Sequence, residues 1–140
     1  MTNELIKEWA DNCELRNNLL FLSNENQSWT YSELANALRT FQKEIENMSP
    51  SICMIEGDYS LESVAWLIVG LCNGWQMVPI VSPNPNIIQM RQDISNAVYR
   101  VSLESNWKIS SIKSSNIKSN ITPEKTGVIL FSSGSTGVAK

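Results

Sequence analysis

Residues 51–81 read SICMIEGDYSLESVAWLIVGLCNGWQMVPIV, and the fold turns on this stretch. Ser51 to Glu56 is a continuous apolar run of strand length, closed by the turn pair Gly57-Asp58. Residues 60–73 are apolar almost all round and end at Asn73-Gly74. That pattern predicts a buried helix whose glycine takes the left-handed conformation after the last turn. Gln76 to Val81 is a second strand-length run, carrying Pro79. Two strands apolar on both faces, joined by a buried helix, are the signature of a parallel βαβ unit.

Working upstream, Thr30 and Glu33 have the spacing of a capping box, in which each satisfies a free backbone N–H at a helix start. Leu34, Leu38, Phe41, Ile45 and Met48 then recur in steps of four and three, predicting a helix over 31–48 that Pro50 closes. Before it, Leu19–Leu22, a polar turn at 23–26 and Gln27-Ser28-Trp29 read as a hairpin, and residues 4–12 as a short helix. Downstream, Ser82-Pro83-Asn84-Pro85 turns the chain into a helix around 86–96 with Ile87, Ile88 and Ile94 inward. Val98 to Leu103 follows as a strand. Residues 104–125 are rich in Ser, Asn and Lys and read as a polar loop, with Trp107-Lys108-Ile109 its one strand. Gly127 to Phe131 is a last buried strand. The expectation is an α/β fold of βαβ units with a largely parallel sheet.

The composition agrees and narrows the function. With 140 residues, 42% hydrophobic, 18% charged and a net charge of −3, the chain is globular rather than disordered. Charge is uneven: residues 1–62 carry 11 acids against 4 bases, residues 63–140 carry 3 against 7. The basic half is too dilute for a duplex-binding stripe, so no nucleic-acid partner is expected. There is no histidine, and Cys13, Cys53 and Cys72 form no CxxC pair. No metal site and no Ser-His-Asp or Cys-His machinery can be assembled from these residues, and the cysteines read as small buried hydrophobes. Trp29, Trp66 and Trp75 read as core. The charged N-terminus is not a signal peptide, and the longest apolar stretch, Val64 to Cys72, is too short for a membrane span. A cytoplasmic location follows as the expectation.

The last strand empties into Ser132-Ser133-Gly134-Ser135-Thr136-Gly137-Val138-Ala139-Lys140. Glycines let backbone approach a ligand closely, and successive N–H groups in such turns make a nest for phosphate oxygens. The hydroxyls of Ser132, Ser133, Ser135 and Thr136 add donors, and Lys140 adds a full charge. Composition alone also allows a Gly/Ser linker; the direct junction with an apolar strand and the lysine speak against it. A Walker A loop would need the lysine directly after its last glycine, a dinucleotide fingerprint needs three glycines, and a hydrolase elbow needs G-x-S-x-G; none is present.

Residues 129–140 resemble the phosphate-loop signature of the adenylate-forming enzymes, the superfamily of acyl-CoA synthetases, luciferases and peptide-synthetase adenylation domains, also called AMP-dependent synthetases and ligases. The pattern is an apolar strand end followed by T/S-S/T-G-T/S-T-G-x-P-K, with Ala139 at the usual proline. Thr30-Tyr31-Ser32-Glu33-Leu34 is similar to the family's T-Y-x-E-L helix opening. Val64 to Pro83 is similar to its apolar helix and V-P-L…D-P strand, with Asn73 at the common alanine and Ser82 at the common aspartate. The resemblance covers residues 19–140.

This resemblance implies that residues 1–140 are the N-terminal segment of a larger ATP-binding adenylation domain. The complete enzyme would be a ligase that forms an acyl-adenylate and pyrophosphate from a carboxylic acid and ATP, then passes the acyl group to a thiol of CoA or a carrier protein. Ser132, Ser133, Gly134, Ser135, Thr136, Gly137 and Lys140 would bind the ATP phosphates. Ligands of Mg and the catalytic groups of the family lie further along its members, so no catalytic residue is assigned here, and the 140-residue chain alone is expected to be inactive. The alternative is a non-catalytic interaction or regulatory module derived from such an enzyme.

Overall fold

A computed structural model of the chain describes residues 3–23, 26–81, 84–112 and 126–131. In chain order the elements are α1 (Glu4–Arg16), β1 (Leu20–Ser23), β2 (Ser28–Thr30), α2 (Tyr31–Ile45), β3 (Ile52–Glu56), α3 (Leu61–Cys72), β4 (Gln76–Ile80), α4 (Pro85–Ser95), β5 (Tyr99–Ser102), β6 (Ser110–Ser111) and β7 (Gly127–Val128). A single 3-10 turn at Leu103–Ser105 lies between β5 and β6.

The unit read from residues 51–81 forms the middle of a five-stranded sheet of order β6-β5-β3-β4-β7. β3 pairs in parallel with β4 on one side (Ile52 with Gln76, Glu56 with Ile80) and with β5 on the other (Cys53 with Tyr99, Glu56 with Ser102). β7 adds in parallel to β4, and β6 closes the opposite edge antiparallel to β5. Alternation along each strand serves two cores. Cys53, Ile55 and Met77 join α1, α2 and α3 on one face, and Ile52, Met54, Val78 and Ile80 pack with Ile88 of α4 on the other.

The larger core is built on aromatic rings. Trp66 and Trp75 are each 1% exposed, and the Phe41 ring stacks on Trp66 at 4.5 Å. Thr30 and Glu33 make the capping box reciprocally, and Leu34, Leu38, Phe41 and Ile45 are buried as the stripe requires. Asn73 ties three helices. Its amide donates to Gln42 Oε1 and to the Val69 carbonyl, both at 2.7 Å, and its Oδ1 accepts from Asn3 at 3.1 Å. Gly74 has φ +83°, the left-handed conformation expected of it. β1 and β2 form the antiparallel hairpin. All three cysteines are free, two buried and Cys72 partly so.

Several expectations need correction. α1 runs four residues past position 12, and α2 stops at Ile45, well before Pro50. Met48 still packs against the core, but from a turn. In α4 the inward stripe is Ile88, Gln92 and Ser95, at steps of four and three. Ile94 lies off it and is 56% exposed. Residues 107–109 are not a strand. Asn106 and Trp107 have φ of 54° and 60°, which no strand allows, and the Trp107 carbonyl accepts the Trp66 indole N–H at 2.8 Å. Pairing begins only at Ser110. Finally, Gly127 to Phe131 is not a fully buried strand. It is the sheet's edge, with Ile129 and Phe131 turned to the α4 core and Val128 and Leu130 exposed on the other face. Residues 113–125, most of the polar loop, lie outside the described residues.

Candidate functional site

The outgoing connections of β3 and β4 leave on opposite faces, to α3 and α4 respectively. In open parallel sheets such a reversal opens a crevice at the carboxyl ends of the strands, where ligands bind. Here the crevice lies beyond Glu56 of β3 and Ile80 of β4. Gly57, at φ +134°, turns the chain away while its N–H bonds the Ile80 carbonyl at 2.9 Å. The α3 amino end opens beside it, closed by the Ser60 hydroxyl accepting from Ser63 N–H at 3.2 Å. A cavity of about 140 Å³ occupies this corner, lined by Ile55, Tyr59, Val81, Val128 and Leu130 among others.

β7 delivers the chain to the same end of the sheet. The Thr126 hydroxyl donates to the Leu71 and Trp75 carbonyls at 2.8 and 2.9 Å. Gly127 N–H donates to the Trp75 carbonyl at 3.2 Å, and Ile129 N–H to the Met77 carbonyl at 2.9 Å. These bonds continue the register past Val128, so Phe131 arrives level with Ile80 at the carboxyl edge. Phe131 is the residue from which the candidate loop departs. The loop itself (Ser132, Ser133, Gly134, Ser135, Thr136, Gly137 and Lys140) lies outside the described residues. The Ser82-Pro83 stretch lies outside them too.

Charge at this edge has an arrangement that the sequence did not announce. Arg100 of β5 reaches across to Glu56 of β3, its Nη2 donating to Oε1 at 2.9 Å and its Nε lying 2.8 Å from Oε2. Burial is the largest influence on Glu56 and pushes its carboxyl above the usual range; Arg100 pulls it back, and Glu104 adds to the rise. Only the parallel register of β3 and β5 brings these side chains together; in sequence they stand 44 residues apart. On the opposite side, the Arg91 guanidinium of α4 lies 5.4 Å from the centroid of the Phe131 ring. No spacing in the sequence singles out Arg91, because its partner is distant along the chain. Among the described residues, no group of three or more His, Cys, Asp or Glu is placed to hold a metal ion. Among them, too, no helix is long and apolar enough to cross a membrane.

No protein-family model matches the chain, and no curated protein does. Solved structures do. The N-terminal subdomain of NpsA from Klebsiella oxytoca, in complex with anthranilyl-AMSN, superposes with a TM-score of 0.64 at 22% identity over 99% of this chain. An artificially fused adenylation-PCP di-domain, NpsA-ThdA from the same organism, gives 0.61 at 22% over 96%. The O-succinylbenzoate coenzyme A synthetase MenE from Bacillus subtilis, in complex with AMP, gives 0.57 at 14% over 94%. The chain spans 39%, 31% and 40% of those three structures, respectively. At these identities the likeness is one of fold: the chain has the fold of the N-terminal portion of the adenylate-forming enzymes.

Proposed function

We propose that the chain is the N-terminal segment of an ATP-dependent carboxylate-activating ligase, and that residues 132–140 bind the β- and γ-phosphates of ATP. The observation that carries this reading is the placement of Phe131. The one segment with phosphate-loop chemistry leaves the sheet at the carboxyl edge, from an edge strand of a fold found in adenylation subdomains. The donor set suits the ligand: four hydroxyls, turn amides and one ammonium match phosphate oxygens. Such a loop stabilises charge on the departing pyrophosphate and attacks nothing, so its contribution is preorganised electrostatics. Mg would accompany ATP, with its ligands expected further along the complete enzyme. The acyl acceptor in this reading is a thiol of CoA or of a carrier protein. The three free cysteines fit a reducing, cytoplasmic setting.

The test is carboxylate-dependent exchange between ATP and pyrophosphate, run on the complete gene product with a panel of fatty, aromatic and amino acids. Exchange with at least one acid is expected. Silence across the panel overturns the catalytic reading and leaves the non-catalytic module. The 140-residue chain alone is expected to give no exchange and to bind Mg-ATP more weakly than micromolar. A phosphate nest holds one end of the nucleotide only, and the entropy lost in ordering it is poorly offset by so few contacts. Micromolar affinity for the isolated chain would show the segment to be a complete site.

A further inference from the structure

α1 has one face that the fold leaves open. Ile6, Ala10 and Cys13 on its inner face are buried, and Asp11 and Glu14 on a second face meet Arg39 of α2. Leu5 and Trp9, one turn apart, belong to neither face and are 54% and 46% exposed. Asn12 and Arg16 continue their stripe at steps of three and four, and Glu8 and Leu15 flank it, all three polar residues being exposed. Leu15 is 83% exposed, and Leu19, just past the helix end, is 62% exposed. Apolar side chains gathered in this way on a surface mark a contact with another molecule rather than a solvated face.

The order of these side chains selects the occupant, because the face is its own complement about Asn12. Trp9 and Leu15 stand three positions to either side of it, Glu8 and Arg16 four, and Leu5 and Leu19 seven. A second copy laid antiparallel across a twofold axis at Asn12 sets Trp9 against Leu15, Leu5 against Leu19 and Glu8 against Arg16, each pair made twice. The two Asn12 amides can then exchange hydrogen bonds at the centre. A parallel copy would oppose Glu8 to Glu8 and Arg16 to Arg16, so charge favours the antiparallel arrangement. Among the described residues neither Glu8 nor Arg16 forms an ion pair. Arg16 is held on this side of the molecule, donating to the Asn12 carbonyl at 3.2 Å and lying 5.8 Å from the Tyr31 ring centroid. Five of the stripe residues, with Cys13 and Tyr31, line an open hollow of about 510 Å³, which has room for the protruding Leu15 of the other copy. We propose that this face of α1 is a homodimer interface, occupied by the same face of a second copy of the chain. An isologous contact closes on itself, so association ends at the dimer. Dimerisation through α1 does not depend on what residues 132–140 bind.

The test is sedimentation equilibrium of the 140-residue chain at low salt, where exposed charges are least screened. One helix face is a small interface, so the expected affinity is weak, with Kd on the order of 100 μM, and concentrations up to about 1 mM are needed to see it. Wild type is compared with Trp9→Ala, Glu8→Arg, Arg16→Glu, the double variant Glu8→Arg/Arg16→Glu and an equimolar mixture of the two single charge variants. Trp9→Ala is expected to weaken association about tenfold, since it removes the central aromatic side chain from both copies. Each single charge variant turns two attractive contacts into two repulsive ones and is expected to weaken association about tenfold as well. In the mixture one copy carries two bases at these positions and the other two acids, so both contacts are attractive again. The mixed dimer should form with wild-type affinity, and so should the dimer of the double variant. The mixture contains nothing but the two single variants, so association restored there cannot come from restored folding. A wild type that stays monomeric to about 1 mM overturns the inference. Association that the charge variants leave unchanged overturns it too, since another surface would then be in contact. A mixture no tighter than either single variant alone does the same, because Glu8 and Arg16 would then not face each other.

Discussion

Gly70 of α3 lies against Met77 of β4, and the closeness of that approach can be tested by adding one methyl group. An ideal Cβ built on Gly70 would overlap Met77 Sδ outright and stand 2.7 Å from Cε and 2.8 Å from Cγ. Both residues are buried, Met77 to 1% exposure. Two opposed effects follow from Gly70→Ala. The helix gains about 0.8–1.0 kcal/mol, since alanine loses less backbone entropy than glycine. Overpacking costs about 1–3 kcal/mol, as the thioether must leave its rotamer in a core with no spare volume. The net is a destabilisation of about 1 kcal/mol, or about 3 °C in melting temperature for a chain of this length.

The sign should invert when the obstacle is removed. Met77→Ala alone is expected to cost about 2–5 kcal/mol through lost burial and the cavity left behind. In that background the methyl group added at position 70 enters vacated space, gaining about 0.8 kcal/mol of burial on top of the helix term. Gly70→Ala should then stabilise by about 1.5–2 kcal/mol, a coupling between the two sites of about 2.5–3 kcal/mol. Equilibrium unfolding in urea, followed by the fluorescence of buried Trp66 and Trp75, measures all four corners of the cycle. If Gly70→Ala has the same sign and size in both backgrounds, the contact is not what makes the glycine necessary, and the reasoning fails. β4 is also the strand on which β7 aligns.

Asn73→Ala is expected to cost about 1–3 kcal/mol in the same unfolding assay, because it strips the buried Gln42 amide and Asn3 of their partners; a loss below about 0.5 kcal/mol would mean that those groups find water. Glu56 makes a pH prediction of definite sign. Its folded pKa is raised above the unfolded one, so its contribution to stability is fully present below the unfolded pKa, about 4.3. That contribution is lost as pH rises through the folded value. The stability of wild type relative to Glu56→Gln should therefore decline from mildly acid pH toward neutrality, and a difference that widens with pH would show that Arg100 outweighs burial.

Local pattern carried much of this molecule. The capping box at Thr30 and Glu33, the apolar stripe of α2 and the β3-α3-β4 run each involve residues within one or two turns or one strand of each other. Periodicity and cap chemistry act at that range, so sequence alone determined these elements and the parallel α/β class. The motif at 132–140 was equally legible as chemistry, because hydroxyls, glycines and a lysine are a donor set wherever the fold puts them.

Tertiary structure decided what depends on partners far along the chain. Ile94 faces water because the α4 stripe follows Ile88, Gln92 and Ser95, and only the sheet beneath selects which helix face is inner. Residues 107–109 read as a strand by composition, yet the Trp66 indole N–H captures the Trp107 carbonyl from 41 residues away and the chain turns there. The run at 127–131 looked buried because every side chain is apolar, whereas its place at the sheet's edge leaves one face of it open. The Glu56–Arg100 pair and the Arg91–Phe131 contact join residues 40 or more apart. Sequence states which side chains are present, but a contact at that separation exists only once strand register and helix docking have brought its two ends to the same place.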